Sequence, residues 1–234
     1  MSAKIQLHQH RVPLHRQIRD AYDNPDVDTL AKLVSKYPGL LVVDCALLIL
    51  ELVPLYTSED QLRSRFKDLR LKKWTRMHEQ LLDRVLIIRG IRNQRLRETC
   101  WGVLLEKIVY ELLKRRYHRL GEDCCTNKKV GPSWNQMTSV EIDVSAWSVP
   151  LQQGEFHQCQ LSGKFDEHDC DLLEEALALF LKPNTTVTAG LCAMVTQDEV
   201  MAKLKKDGHE ERINRIKIIG RHALMKLHEA FPGP

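Results

Sequence analysis

Near residue 99 the hydrophobic periodicity of this chain changes, and that change constrains the fold more than its composition does. Before it, apolar residues recur at three and four. Leu30, Leu33 and Val34 form one stripe, and Leu69, Trp74, Met77, Leu81, Leu82, Val85 and Ile88 form another. After it, an amphipathic helix over 100–120, with Val103, Leu104, Ile108, Leu112 and Leu113 on one side, ends at Gly121. Alternation takes over in 139–147, where Val140, Ile142 and Val144 point one way and Glu141, Asp143 and Ser145 the other. A turn at 150–154 leads to a second strand over 155–161.

The remaining punctuation fills in the order. Pro13 starts a helix that stops before Asn24-Pro25, and Asp26 or Asp28 caps the next, which Pro38-Gly39 ends. The apolar run 40–53 is long enough to be a buried helix, and Ser58 with Gln61 reads as a capping box. Residues 121–138, with Gly131-Pro132, read as a polar connection. Asp169 is placed to cap a helix over 170–181, and Thr196 one that reaches Lys206. Strands are expected over 185–195 and 214–219, then a short helix over 222–230. The order from residue 99 is α-β-β-α-β-α-β-α, which predicts an α/β domain with one mixed sheet flanked by helices. Residues 1–98 are expected to be a basic, all-helical N-terminal region, and 99–234 the sheet domain.

Charge is uneven. The whole chain is +4, but residues 1–100 hold 18 Lys and Arg against 12 Asp and Glu. Between Arg63 and Arg97 twelve basic residues face only Asp68, Glu79 and Asp83. Such a field draws phosphate-rich partners and releases counterions on binding. Arg63, Arg65, Lys67, Arg70, Lys72, Lys73 and Arg76, with Trp74 among them, are the candidate nucleic-acid contacts. The competing reading is a solvated helical face, or one that meets an acidic protein.

Seven cysteines without a CxxC pair read as reduced thiols, and His157/Cys159 with His168/Cys170 match no common zinc spacing. No window of 18 consecutive apolar residues occurs, so a membrane span is not expected. The first residues lack the apolar run of a signal peptide, so a cytoplasmic protein is expected.

The chemistry concentrates in two i, i+2 pairs, Glu141/Asp143 on one strand and Gln158/Gln160 on the next. Each pair points to one side of its strand, so adjacent antiparallel strands would gather four polar side chains. Glu106, on the preceding helix, is a further carboxylate that could lean over them. Carboxylates gathered beside a sheet suit a hard divalent cation, which polarises phosphoryl oxygen and activates water.

These elements resemble the PD-(D/E)XK, or restriction-endonuclease-like, nuclease superfamily. The resemblance spans about residues 99–227. It rests on the helix with Glu106, the strand Val140-Glu-Ile-Asp143-Val, the strand Phe156-His-Gln158-Cys-Gln160, the helix after Asp171, and Ile216-Lys-Ile-Ile-Gly-Arg221. It implies that Asp143 and Glu106 hold Mg²⁺ or Mn²⁺, and that the chain hydrolyses phosphodiesters in DNA or RNA. The chain departs from the pattern where an acid and then a lysine are expected, since Gln158 and Gln160 stand there. Loss of a general acid or base costs on the order of 10²–10⁴ in rate. Glu141 can replace the metal-binding charge, and Lys164, four residues past Gln160, can reach back on its flexible stem. The candidate catalytic set is therefore Asp143, Gln158, Gln160 and Lys164, and the candidate metal set Glu106, Glu141 and Asp143. Two readings stay open: a metal-dependent nuclease with a variant site, or an inactive nuclease-fold subunit that binds nucleic acid or scaffolds a larger complex.

Overall fold

A computed structural model describes residues 7–11, 14–70, 74–117, 123–132 and 139–229. The chain divides into two compact units. One is Leu14–Ile108, and the other combines Met1–Pro13 with Val109–Pro234. The boundary thus lies ten residues beyond the change in periodicity, and the first residues belong with the sheet.

The Leu14–Ile108 unit is helical. Helices α1 (Arg16–Tyr22) and α2 (Pro25–Lys36) are separated by Asn24, whose side-chain oxygen accepts from the Asp26 and Val27 N–H groups. Asn24, not Asp26 or Asp28, is therefore the cap, because Pro25 takes the first helical position. Asp26 instead pairs with Arg84 at 2.8 Å and Asp28 with Lys107. The apolar run is helical throughout, as α3 (Pro38–Ala46), a π-helical stretch Leu47–Leu52 and α4 (Val53–Leu55).

That continuous helix, Pro38–Leu55, has 18 residues with mean hydropathy 2.1, so by length and composition it could cross a membrane, contrary to the sequence expectation. Half of it is buried inside the unit. Its one internal acid on that side, Asp44, is buried and meets Arg70 and the Nε2 of His78, the latter at 2.9 Å. A core helix of this kind is apolar because it packs on several sides.

Helices α5 (Glu59–Arg70), α6 (Arg76–Arg89) and α7 (Gln94–Tyr117) follow. Leu62 and Phe66 of α5 and Leu81, Leu82, Val85 and Ile88 of α6 are fully buried. Burying each such side chain contributes about 1.5–3 kcal/mol. Residues of α7 up to Ile108 belong to this unit and those from Val109 to the sheet unit.

The second unit is built on a six-stranded sheet in the order β1-β2-β3-β4-β5-β6. Its strands are β1 (Leu7–Arg11), β2 (Asp123–Pro132), β3 (Val140–Ser148), β4 (Gln153–Cys159), β5 (Thr186–Cys192) and β6 (Lys217–Ile219). The first three pairings are antiparallel and the last two parallel. β1 and β2 are additions to the expected order. Residues 7–11 were read within a helical region, and 123–132 as a connection, yet they pair from Leu7↔Pro132 to Arg11↔Lys128. Pro132 ends its strand and lies beyond Val130↔Val140, the last β2–β3 pair, so that ladder needs no N–H from it.

Helix α8 (Glu167–Phe180) covers one face of the sheet. Phe180 packs on Phe156 and Trp147 with centroids 4.8 and 5.3 Å away. Gly154 is required opposite Trp147, since a Cβ there would lie 2.2 Å from the indole ring. The cap of α8 is Asp166, one turn earlier than expected, with Asp169 as its reciprocal partner. Helix α9 (Gln197–Lys206) is capped by Thr196 as read, and α10 (Arg221–Leu224) closes the unit.

Candidate functional site

Strands β3 and β4 pair from Ser148↔Gln153 to Val144↔His157 and then part. Beyond that point β3 stays with β2 as far as Val140↔Val130, while β4 stays with β5 as far as Cys159↔Cys192. Two side chains bridge the opening. The Oδ2 of Asp143 accepts the Cys159 N–H at 2.8 Å, and the Nε2 of Gln158 donates to the Glu141 carbonyl at 3.3 Å. Asp143 thus supplies the acceptor that a continued ladder would have given Cys159. Because Ser145 faces Phe156 across the pair, alternation places Asp143 and Gln158 on the same face, the one that α8 covers.

The electrostatics of this notch are acidic. Asp143 is half-buried, and its carboxyl is pushed up to about 7. Burial is the main cause, the Cys159 N–H acts against it, and the nearby charges of Asp169 and Glu141 add to it. Asp169, in the first turn of α8, is also raised by burial and by Asp166, although its bond from the Asp166 N–H works the other way. Glu141 is exposed and stands opposite Lys129 of β2. Sequence reasoning missed Asp169 as a member of this cluster, having assigned it to the cap.

Gln158 is buried; Gln160 and Lys164 are exposed beyond the end of β4. The Gln160 N–H donates to the Cys192 carbonyl at 3.0 Å, and Lys164 follows Gly163, whose φ is +67°. Glu106 is half-buried on α7 within the helical unit. Among the described residues, no group of three His, Cys, Asp or Glu side chains is gathered closely enough to enclose a metal ion.

On the opposite face of β4 lies a second polar cluster that sequence reasoning did not find. Glu155 accepts from Arg116 at 2.7 Å and from the Tyr117 hydroxyl at 3.1 Å on one oxygen. Its other oxygen is 3.4 Å from the Nε2 of His157, whose Nδ1 is 3.6 Å from the Cys192 sulfur. Gly190 makes room for that ring, because a Cβ there would lie 2.7 Å from Nδ1. Burial alone would lower His157, but Cys192 and Glu155 lift it to about 10. Burial would raise Cys192, but Cys159 and His157 bring it to about 6. Burial likewise opposes ionisation of Glu155, but His157, Arg116 and Tyr117 hold its carboxyl below the usual range. The i, i+2 spacing of Glu155 and His157 was visible in the sequence; the parallel register that brings Cys192 beside them was not.

The basic segment is partly neutralised by its own fold. Arg63 pairs with Glu59 and Asp83 at 2.9 and 2.8 Å, Lys67 with Glu79 at 3.1 Å, and Arg70 with Asp44. Arg65 and Arg76 are exposed and enter no ion pair among the described residues, while Lys72 and Lys73 lie outside those residues. Trp74 is not a free stacking platform. It packs edge-on against Phe66, stacks on His78 and donates to Glu79 at 3.1 Å.

No protein-family model matches the chain, and no curated protein matches its sequence. Among solved structures, the protein VC1899 from Vibrio cholerae aligns with 95% of this chain at 16% identity and a TM-score of 0.41. The chain spans 57% of the length of that protein. A TM-score at this level does not place the two chains in one fold.

Proposed function

We propose that this chain is a nucleic-acid-binding protein of restriction-endonuclease-like architecture, in which the Asp143 notch presents a divalent cation to a phosphodiester for hydrolysis. The observation that carries this reading is the position of Asp143: a carboxylate where two strands part, raised to about 7 mainly by burial, with the nearby charges of Asp169 and Glu141 adding to it. Like charges held together favour a cation between them. The residues present fit an ion that keeps most of its water, since Mg²⁺ is commonly bound by one or two carboxylates plus substrate phosphates. Asp143 and Glu141 would hold it, and the Oε1 of Gln158 is an added neutral oxygen, because Nε2 faces the Glu141 carbonyl. When bound, Mg²⁺ or Mn²⁺ would polarise the phosphoryl oxygen and acidify a water.

The chain's own residues then have limited roles. Asp143 orients the notch through its bond from Cys159, and Arg65 and Arg76 contribute positive charge for phosphate. The test is cleavage of labelled single- and double-stranded DNA and RNA with Mg²⁺, with Mn²⁺ and with EDTA, by the wild type and by Asp143→Ala. Cleavage that needs the metal and Asp143 supports the reading; equal cleavage in EDTA by both proteins overturns it.

A second reading is a nuclease-fold subunit that binds or scaffolds without cutting. It is favoured by Gln158, whose buried amide bridges β3 and β4 and carries no charge, and by exposed Gln160 where the resemblance expects lysine. Binding without cleavage, with cleavage gained by Gln158→Glu together with Gln160→Lys, would support it.

A further inference from the structure

The sheet face that carries Glu155 and His157 opens, at the start of β4 and β5, into a concave site of about 430 Å³. It lies on the opposite face from Asp143, so it is independent of the notch. Its size is in the range of small-molecule sites, roughly 300–1,000 Å³.

Its charge is the informative part. Lys217 of β6 and Lys226, beyond α10, line it and are exposed, and among the described residues neither enters an ion pair. The acid in the lining, Glu155, does not cancel them. One of its oxygens is occupied by Arg116 and the Tyr117 hydroxyl, and the other faces His157. That carboxylate is buried, so its partners are fixed in place from beneath. The site therefore presents two ammonium groups beside a buried carboxylate whose oxygens are already engaged by Arg116, Tyr117 and His157.

The neutral groups narrow the ligand further. Thr186 and Thr188 of β5 both point to this face, since each is in register with Gln153 or Glu155. Their hydroxyls can donate to an oxyanion with several acceptor oxygens. Ile219 and Leu227, both nearly buried, add an apolar part to the lining. A phosphomonoester carries about −1.5 to −2 charge and three acceptor oxygens. We propose that this site binds a phosphomonoester with a flat or apolar body, of the class of a nucleoside monophosphate. Lys217, Lys226 and the threonine hydroxyls take the phosphate, and Ile219 and Leu227 take the body. The same chemistry is offered by a free mononucleotide and by the 5′-phosphorylated end of a nucleic-acid strand.

The experiment is calorimetric titration of the full chain with adenosine 5′-monophosphate, adenosine and inorganic phosphate. It is repeated with short oligonucleotides that differ only in a 5′-phosphate or 5′-hydroxyl. Saturable binding is expected for a phosphomonoester, with adenosine at least about tenfold weaker, as charge-assisted bonds warrant. Lys217→Ala with Lys226→Ala, both on the surface, should weaken binding of the mononucleotide about tenfold or more, while EDTA should leave that binding unchanged. Binding of the mononucleotide marks a free ligand as the source; binding of only the 5′-phosphorylated strand marks the strand end. The proposal is overturned if adenosine 5′-monophosphate does not bind and the 5′-phosphate makes no difference to strand affinity, if the double lysine variant is unaffected, or if EDTA alone removes the binding.

Discussion

The Asp143 carboxylate takes the Cys159 N–H at 2.8 Å, the two residues lying one and two positions beyond Val144↔His157, the last pair of the β3–β4 ladder. A side chain thus stands in for a backbone carbonyl at the point where the sheet divides. This relation places a titratable, acid-flanked group in a notch and makes its charge state sensitive to what enters there.

Asp143→Asn keeps an acceptor for Cys159 and removes the charge. The native carboxyl is raised to about 7 from an ordinary value near 3.8. In that window the native state binds more protons than the unfolded chain, so the contribution of Asp143 to stability is complete below the ordinary value and is lost as pH rises through 7. Urea unfolding at pH 4, 6 and 8 should show Asp143→Asn gaining on the wild type as pH rises, by about 1–3 kcal/mol at pH 8. A difference that does not change with pH would contradict the assignment.

Arg70→Ala should destabilise the protein by about 1–3 kcal/mol, because buried Asp44 loses one of its two partners and keeps His78. The buried partner is Asp44, inside the apolar helix Pro38–Leu55. Chemical denaturation measures this directly. A change below about 1 kcal/mol would mean that Asp44 is hydrated or satisfied by His78 alone.

Arg65→Ala with Arg76→Ala should leave stability nearly unchanged and lower the salt dependence of nucleic-acid binding by about one unit of slope per lost phosphate contact. Both side chains are exposed and unpaired among the described residues. Equal slopes for variant and wild type would make the segment a solvated face.

Gly154→Ala should cost about 1–3 kcal/mol or more, the range for overpacking a core. The new methyl group would meet the Trp147 ring at 2.2 Å, and both strands are held in register around it. Thermal unfolding of this variant tests the β3–β4 register. An unchanged midpoint would contradict the pairing Trp147↔Gly154.

The parts legible in the sequence are those dictated by local patterning. Val140, Ile142 and Val144 announced β3, Thr196 announced α9, and the run 40–53 announced a core helix. β1 and β2 were not legible, because Leu-His-Gln-His-Arg has no apolar alternation and Gly131-Pro132 reads as a turn. They become strands through pairing with each other and with β3. The basic segment misled for a related reason: counting charges along the chain leaves out Asp44 and Glu59, which the fold brings to Arg70 and Arg63. The Glu155–His157–Cys192 cluster depends on the β4–β5 register, which joins residues 35 apart in sequence. No local pattern encodes it.

The most direct test of the proposed function is a Mn²⁺ titration followed by electron paramagnetic resonance, with an uncut oligonucleotide duplex or single strand bound. One saturable Mn²⁺ per chain is expected in the wild type, displaced by Mg²⁺ and lost in Asp143→Ala, while nucleic-acid affinity in EDTA is the same for both proteins. Equal Mn²⁺ binding by the wild type and Asp143→Ala, or none by either, would contradict the proposed function.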